Sequence, residues 1–251
     1  MAYDTILYEN EDGAGIITMN RPERRNALSP ALVREMTDVL EKIRDDETIK
    51  AVIISGGEKF FCSGMDLKEP SENLLDEIRK FYKLIENADM PVIAAINGHC
   101  LAGGLEMAIS CDLRIAAEDA TFGLPEIQFG ALAIGGATQR LPRLIGMGKA
   151  KELHFMGEPI DAQEAYRIGL VNKIVPAASV MDEAKKMAGT LALRSRSALK
   201  MAKFLINTGM RTDLNTGMEI ETEVSKGLFH SVPEEMKKAA EREGVYKKIF
   251  E

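Results

Sequence analysis

Two segments of this 251-residue chain, Ala51-Val52-Ile53-Ile54 and Pro91-Val92-Ile93-Ala94-Ala95-Ile96, are apolar on both faces, and a third, Leu113-Arg114-Ile115-Ala116, is apolar but for one arginine. A strand with one wet side alternates polar and apolar residues. Strands without a polar side are covered above and below, as in parallel sheets. The covering layers stand between them in the chain. Leu32, Met36, Val39, Leu40 and Ile43 recur at helical spacing over residues 30–45, and Ser29 before Pro30 supplies an N-cap and a residue suited to the first turn. Leu74, Leu75, Ile78, Phe81, Tyr82 and Ile85 predict the buried side of a second helix. Gly15-Ile16-Ile17-Thr18-Met19 reads as an earlier strand, ended by Asn20-Arg21-Pro22. Strands alternating with helices predict parallel crossovers and an α/β fold.

Beyond about residue 140 the strand signals thin out. Asp161-Ala162-Gln163-Glu164 forms a capping box, with Gly169 placed to end that helix. Residues 178–228 and 233–243 read as helices with Met-, Leu- and Ala-rich faces. The chain divides by this pattern into an α/β core, 1–195, and a helical C-terminal region, 196–251. A chain of this length buries roughly three-quarters of its extended surface.

Charge and cysteine content narrow the function classes. A net charge of −7 argues against a nucleic-acid binder, although Arg21, Arg24 and Arg25 form a small cluster that a compact polyanion could use. No apolar run approaches the roughly 20 residues of a membrane span, and the acidic N-terminal stretch MAYDTILYENEDG does not resemble an export signal. Cys62, Cys100 and Cys111 are odd in number and form no CxxC pair, which suits reduced thiols in a cytoplasm.

Two glycine-containing turns follow predicted strands: Phe60-Phe61-Cys62-Ser63-Gly64-Met65-Asp66-Leu67, and Asn97-Gly98-His99-Cys100-Leu101-Ala102-Gly103-Gly104-Leu105-Glu106. Ligands gather at the carboxyl ends of strands in open α/β sheets. Gly103-Gly104 opens a predicted helix, whose free N–H groups could serve a carbonyl oxygen that gains negative charge during reaction. The same glycines also fit plain turns. Neither Gly-Lys-Ser/Thr nor GxGxxG is present, so these are not familiar nucleotide loops. Glu106 falls in the first turn of that helix and Glu126 follows Pro125. Singly, the first suits the helix dipole and the second a solvated loop; as a pair in different environments they could act as acid and base. His99 suits packing or hydrogen bonding, Cys62 an inert buried thiol, and Asp66 local backbone bonding. HExxH metal-ligand spacing is absent.

Over essentially its whole length the sequence resembles the enoyl-CoA hydratase/isomerase (crotonase) superfamily. The resemblance rests on Asn20-Arg21-Pro22, Asn26-Ala27-Leu28, the segment Phe61–Leu67, Pro91–Gly98, Ala102-Gly103-Gly104-Leu105-Glu106-Met107-Ala108 with Cys111-Asp112, Phe122-Gly123-Leu124-Pro125-Glu126, Thr138-Gln139-Arg140-Leu141 and Ala165–Val171. It implies a spiral of ββα units with a helical C-terminal region that mediates trimer formation, as a homotrimer or dimer of trimers. It also implies acyl-CoA thioester substrates, with no cofactor beyond the coenzyme A of the substrate itself. By motif match, the backbone N–H groups of Met65 and Gly103 would form the oxyanion hole. Glu106 and Glu126 would hold a water for addition to a trans-2-enoyl-CoA, Glu126 giving the proton to C2 and Glu106 helping to activate the water that attacks C3. Arg24, Ala27, Ser63, Asp66 and Leu67 match substrate- or CoA-contacting positions. Arg242 matches a basic residue that can reach a neighbouring subunit's ligand, and reads equally as a solvated charge.

The resemblance breaks at Leu132-Ala133-Ile134-Gly135-Gly136-Ala137, where Ile134 stands in place of a usual glycine. Its side chain would narrow the pocket beside the glutamates, changing acyl preference or the reaction itself. A Δ3,Δ2-enoyl-CoA isomerase, and a catalytically silent acyl-CoA- or RNA-binding relative, are the competing readings; both retained glutamates favour hydration.

Overall fold

The computed structural model describes residues 3–229. Arg242 and the helix expected at 233–243 lie outside the described residues. The sheet predicted from the apolar segments is present. β2 (Ala14–Met19), β3 (Ala51–Ser55), β5 (Val92–Ile96) and β7 (Leu113–Ala117) run parallel in that order. Two further strands extend it: β1 (Ile6–Glu11), antiparallel to β2, and β10 (Lys173–Val175), parallel to β7. β10 falls within the α/β core expected over 1–195, in the stretch where strand signals thin out. It is three residues long and half-buried, too short to carry a periodic signal.

The glycine-containing segments are not simple turns. They hold β4 (Phe60–Cys62) and β6 (His99–Leu101), which join β8 (Thr121–Gly123) and β9 (Ile160–Asp161) in a second, smaller sheet. β3, β5 and β7 each hand the chain to a strand of the small sheet, β4, β6 and β8, before a helix returns it. α1 (Pro30–Arg44), α2 (Leu74–Glu86) and α3 (Gly103–Ser110) follow β2, β4 and β6. Ser29 caps α1 by accepting from the Leu32 N–H. In α2, Leu74, Ile78, Phe81, Tyr82 and Ile85 enter the core, whereas Leu75 lies off that stripe and half-exposed.

α4 (Ala137–Ile145) and α5 (Met147–Met156) pack against each other, and α6 (Ala162–Arg167) is capped by Asp161 as its capping box predicts. α7 (Val180–Ala192) lies on the large sheet. The helical stretch expected at 178–228 is interrupted, giving α8 (Arg196–Gly209) and α9 (Leu214–Phe229). Lys203 on α8 reaches into the core to Asp112 at 2.7 Å and to the carbonyls of Ile85 and Met90. The helical region is therefore bonded to the end of α2 and the start of β7.

Candidate active site

Two loops meet over the N-terminus of α3. Gly64 is at φ +96, and a Cβ there would lie 2.6 Å from the Ala102 Cβ and 3.2 Å from the Gly103 nitrogen, so this approach admits only glycine. Met65 is held by a parallel bridge to Leu28, in which the Leu28 N–H donates to Gly64 and the Asp66 N–H to Leu28. That pattern leaves the Met65 N–H pointing away from Leu28. Ala102, the N-cap of α3, takes the uncommon combination φ 52, ψ −127, a backbone strain of the kind found where a loop is held for function. The Gly103 carbonyl accepts from the buried Tyr82 hydroxyl at 2.5 Å. Among the described residues, neither the Met65 nor the Gly103 N–H donates to a protein acceptor. Two adjacent free donors above a helix N-terminus suit an oxygen that becomes negative.

These N–H groups open on a cavity of about 710 Å³ whose lining includes Ser63, Met65, Leu67, Gly103, Glu106 and Glu126. Leu75, Ile78, Phe129 and Ile134 supply apolar wall. Glu106 and Glu126, twenty positions apart in sequence, thus face one space. Glu106 projects from the first turn of α3 and is 4% exposed. Its Oε1 accepts from the Ala137 N–H at 2.9 Å, and the neighbouring N–H groups of Gly135 and Gly136 also favour its charged form. The carboxylate therefore caps α4 as a helix-terminal anion. Burial still prevails over these three donors, and its pKa is raised.

Glu126 does not sit in an open loop, as its sequence context suggests, but in a single 3₁₀ turn, Pro125–Phe129. Its Oε2 is buried and without a hydrogen-bond partner. Burial pushes its pKa up to about 7, opposed by its own backbone N–H and helped, to a lesser degree, by the charge of Glu106. One carboxyl group is thus held by N–H donors, which favour the anion, and the other is left unpaired, which favours the acid.

The remaining predicted contacts divide. Leu67 is 79% exposed at the cavity rim. Asp66 is turned inward, accepting from the Lys68 N–H, Arg21 and Arg24. Arg21 is itself buried, bonded also to Ala27 O and Glu69, so this member of the arginine cluster is spent inside the protein, while Arg25 is exposed. Ala27 is buried beneath this loop. Arg24, at 3.3 Å from Asp66, keeps partial exposure. All three cysteines are free and buried, with burial pushing Cys62 and Cys111 to about 12. His99 bonds Thr121 and stacks on Phe60. Among the described residues, no group of three or more His, Cys, Asp or Glu is arranged to hold a metal ion, and no helix is long and apolar enough to cross a membrane.

Sequence reasoning misses the cradle of Glu106: the N–H groups of residues 135–137 and the Tyr82 hydroxyl beneath Gly103. The signal available for the former is Gly135-Gly136, a glycine pair ahead of a helix.

Comparison with known proteins gives the chain's family and fold relatives. The family model described as enoyl-CoA hydratase/isomerase matches residues 9–247. The crotonyl-CoA hydratase of Syntrophomonas wolfei is 41% identical over 231 residues, covering 89% of each chain. The short-chain-enoyl-CoA hydratase of Clostridium acetobutylicum is 41% identical over 237 residues, covering 91% of each. The crystal structure of the enoyl-CoA hydratase of Bacillus anthracis superposes with a TM-score of 0.88 at 39% identity, over 90% of this chain and 92% of that one.

Proposed function

The chain belongs to the enoyl-CoA hydratase/isomerase family and is an enoyl-CoA hydratase, and from that premise we propose that Glu106 and Glu126 divide the work of hydration. The observation that carries this division is the pair of unlike carboxyl groups lining one cavity beneath two free N–H donors. The thioester carbonyl oxygen of a trans-2-enoyl-CoA lies against the N–H groups of Met65 and Gly103. Glu106, as the carboxylate, takes a proton from water while the water oxygen bonds to C3. The 2,3 π electrons move toward the thioester, and the two N–H donors hold the developing enolate oxygen. Glu126, as the acid, gives its proton to C2 as the carbonyl re-forms. The product is a 3-hydroxyacyl-CoA. Glu106 is left protonated and Glu126 ionised, and one proton moved between them through water resets the site. The donors stabilise the enolate more than the neutral thioester, which is the condition for faster chemistry rather than tighter binding.

The substrates proposed are short trans-2-enoyl thioesters. The names of the Syntrophomonas and Clostridium relatives support this, as does Ile134, whose side chain fills space beside the Glu106 cradle. The active molecule is proposed as a homotrimer or dimer of trimers in the cytoplasm, a compartment suited to three free buried thiols. Nothing in this chemistry requires a cofactor beyond the coenzyme A carried by the substrate.

The test is hydration of crotonyl-CoA, followed by loss of the enoyl-thioester absorbance with product identification. Glu106→Gln and Glu126→Gln are each expected to lower kcat by at least about 10²-fold, the lower range for removal of a positioned acid or base. Wild-type hydration that survives either change would overturn the division of roles.

A further inference from the structure

The Gly135–Gly136 peptide has two faces, and both are occupied. On one side its N–H, from Gly136, faces the Glu106 carboxylate and favours its charge, next to the Ala137 N–H that donates to Glu106 Oε1 at 2.9 Å. On the other its carbonyl, from Gly135, accepts from Arg140 Nη1 at 3.0 Å. A trans peptide is planar, with its C=O and N–H pointing in opposite directions. Fixing the carbonyl therefore fixes the direction of the N–H. The guanidinium lies hard against the loop: a Cβ on Gly136 would meet Arg140 Nη1 at 2.0 Å.

Arg140 is in turn held from elsewhere in the fold. Its Nη2 donates to Glu86 Oε2 at 2.8 Å, at the end of α2. The other oxygen of Glu86 accepts from Arg211 at 2.9 Å, in the turn between α8 and α9. Burial opposes ionisation of Glu86, but the two arginines outweigh it and hold its carboxyl below the usual range. Arg140 Nε, meanwhile, is buried with no partner. The side chain leaves one donor unsatisfied while placing both Nη groups on the loop carbonyl and on Glu86.

We propose that Arg140 is a positioning residue for Glu106: gripping the Gly135 carbonyl, it holds the loop that brings the Ala137 N–H onto the carboxylate, and Glu86 with Arg211 ties this grip to the helical C-terminal region. The proposal rests on the reading of Glu106 as the group that activates water. It assigns Arg140 no contact with substrate. The ionisable groups acting on Glu106 are Arg140 from α4, Tyr82 from α2 and Glu126 from the 3₁₀ turn.

Arg140→Met and Arg140→Lys separate this role from simple support of the fold. With crotonyl-CoA, Arg140→Met is expected to lower kcat about 10²-fold, the scale of a catalytic group misplaced by an ångström, with KM changed far less. Losing a nearby cation and a well-aimed donor raises the pKa of a carboxylate, so the acidic limb of the kcat/KM profile moves to higher pH. Arg140→Lys, able to reach the carbonyl with one ammonium, restores part of the rate.

In a Glu106→Gln background the Arg140→Met change adds little further loss, because the group it positions is already gone. If Arg140→Met does not fold, as judged by circular dichroism and thermal unfolding, Glu86→Gln is measured instead. It is expected to give a smaller kcat loss with a smaller displacement of the acidic limb in the same direction, since the Arg140 cation remains but is no longer held. An unmoved acidic limb, or equal losses with and without Glu106, would overturn the proposal. A Glu106→Gln enzyme with wild-type kcat would overturn the reading beneath it, and that outcome is distinguishable because it requires no change at Arg140.

Discussion

Glu106 and Glu126 are the same residue type in one cavity, and their surroundings alone make them different. Glu106 Oε1 accepts from the Ala137 N–H with two glycine N–H groups beside it, whereas Glu126 Oε2 has no partner. The unpaired group carries a stability cost that depends on pH. The folded-state pKa of Glu126 is about 7 against an ordinary 4.5, because burial disfavours its charge. The folded state therefore holds the proton more tightly than the unfolded chain does. The resulting stability is fully present below the unfolded pKa and is lost as pH rises through the folded one. Glu126→Gln, neutral at every pH, escapes that loss. Thermal unfolding is expected to show the variant level with wild type at about pH 5 and more stable at about pH 8.5, while hydration collapses at both. Equal melting temperatures throughout would mean that Glu126 is not strained by its site. Both glutamates are visible in the sequence, but their meeting is not, since each taken locally fits a bland role: dipole complement for one, solvated loop for the other. What makes them a pair is the approach of α3 to the 3₁₀ turn, a long-range contact that no local pattern encodes.

At the scale of elements, the legible parts are those with a strong period or a complete burial pattern. β3 and β5 are buried at every position, and α1 and α2 carry clear apolar stripes. β1 escapes notice because five of its six residues are exposed at the sheet edge, and β4, β6 and β8 because three residues are too few for alternation to register. α4 is hidden by Pro142 within it and by Gly135-Gly136 before it, both of which read as breakers. Yet the start of α4 is the element that holds Glu106, and the glycine there has a packing reason. A Cβ on Gly135 would stand 2.5 Å from Tyr82 Cε2 and 2.6 Å from Glu106 Oε2. Gly135→Ala is therefore expected to keep the fold but push the carboxylate from its donors, lowering kcat about 10²-fold. Gly148→Ala in α5, where an added Cβ meets nothing within 4 Å, serves as the control. It should leave kcat unchanged and add up to about 1 kcal/mol of stability from helix propensity. A Gly135→Ala enzyme as active as the control would show that the cradle tolerates displacement.

At the scale of the whole molecule, several large apolar side chains among the described residues stand exposed. Phe129 is 80% exposed, Phe155 70% and Met147 64%. They are not scattered: Met147 and Phe155 line a cavity of about 440 Å³, with Ile127 and Leu132, on the far side of Glu126. A second exposed group, Ile206, Met210, Leu214 and Met218, lies on α8, α9 and the turn between them. Clustered apolar surface of this kind marks an interface more often than a free surface. Two unlike patches on one chain suit a head-to-tail contact, in which one copy's first patch meets the next copy's second. Such a contact closes into a ring when the rotation between copies permits. Sedimentation of the full chain is expected to give three or six times its 27.6 kDa. Phe155→Glu, which puts a charge into the first patch, should shift that mass toward the single chain as concentration falls. The patch borders Glu126, so dissociation should also lower hydration, by loosening the cavity wall formed by Ile127 and Leu132. A monomeric wild type with full activity would refute the arrangement, and an unchanged mass for Phe155→Glu would move the interface elsewhere on the surface.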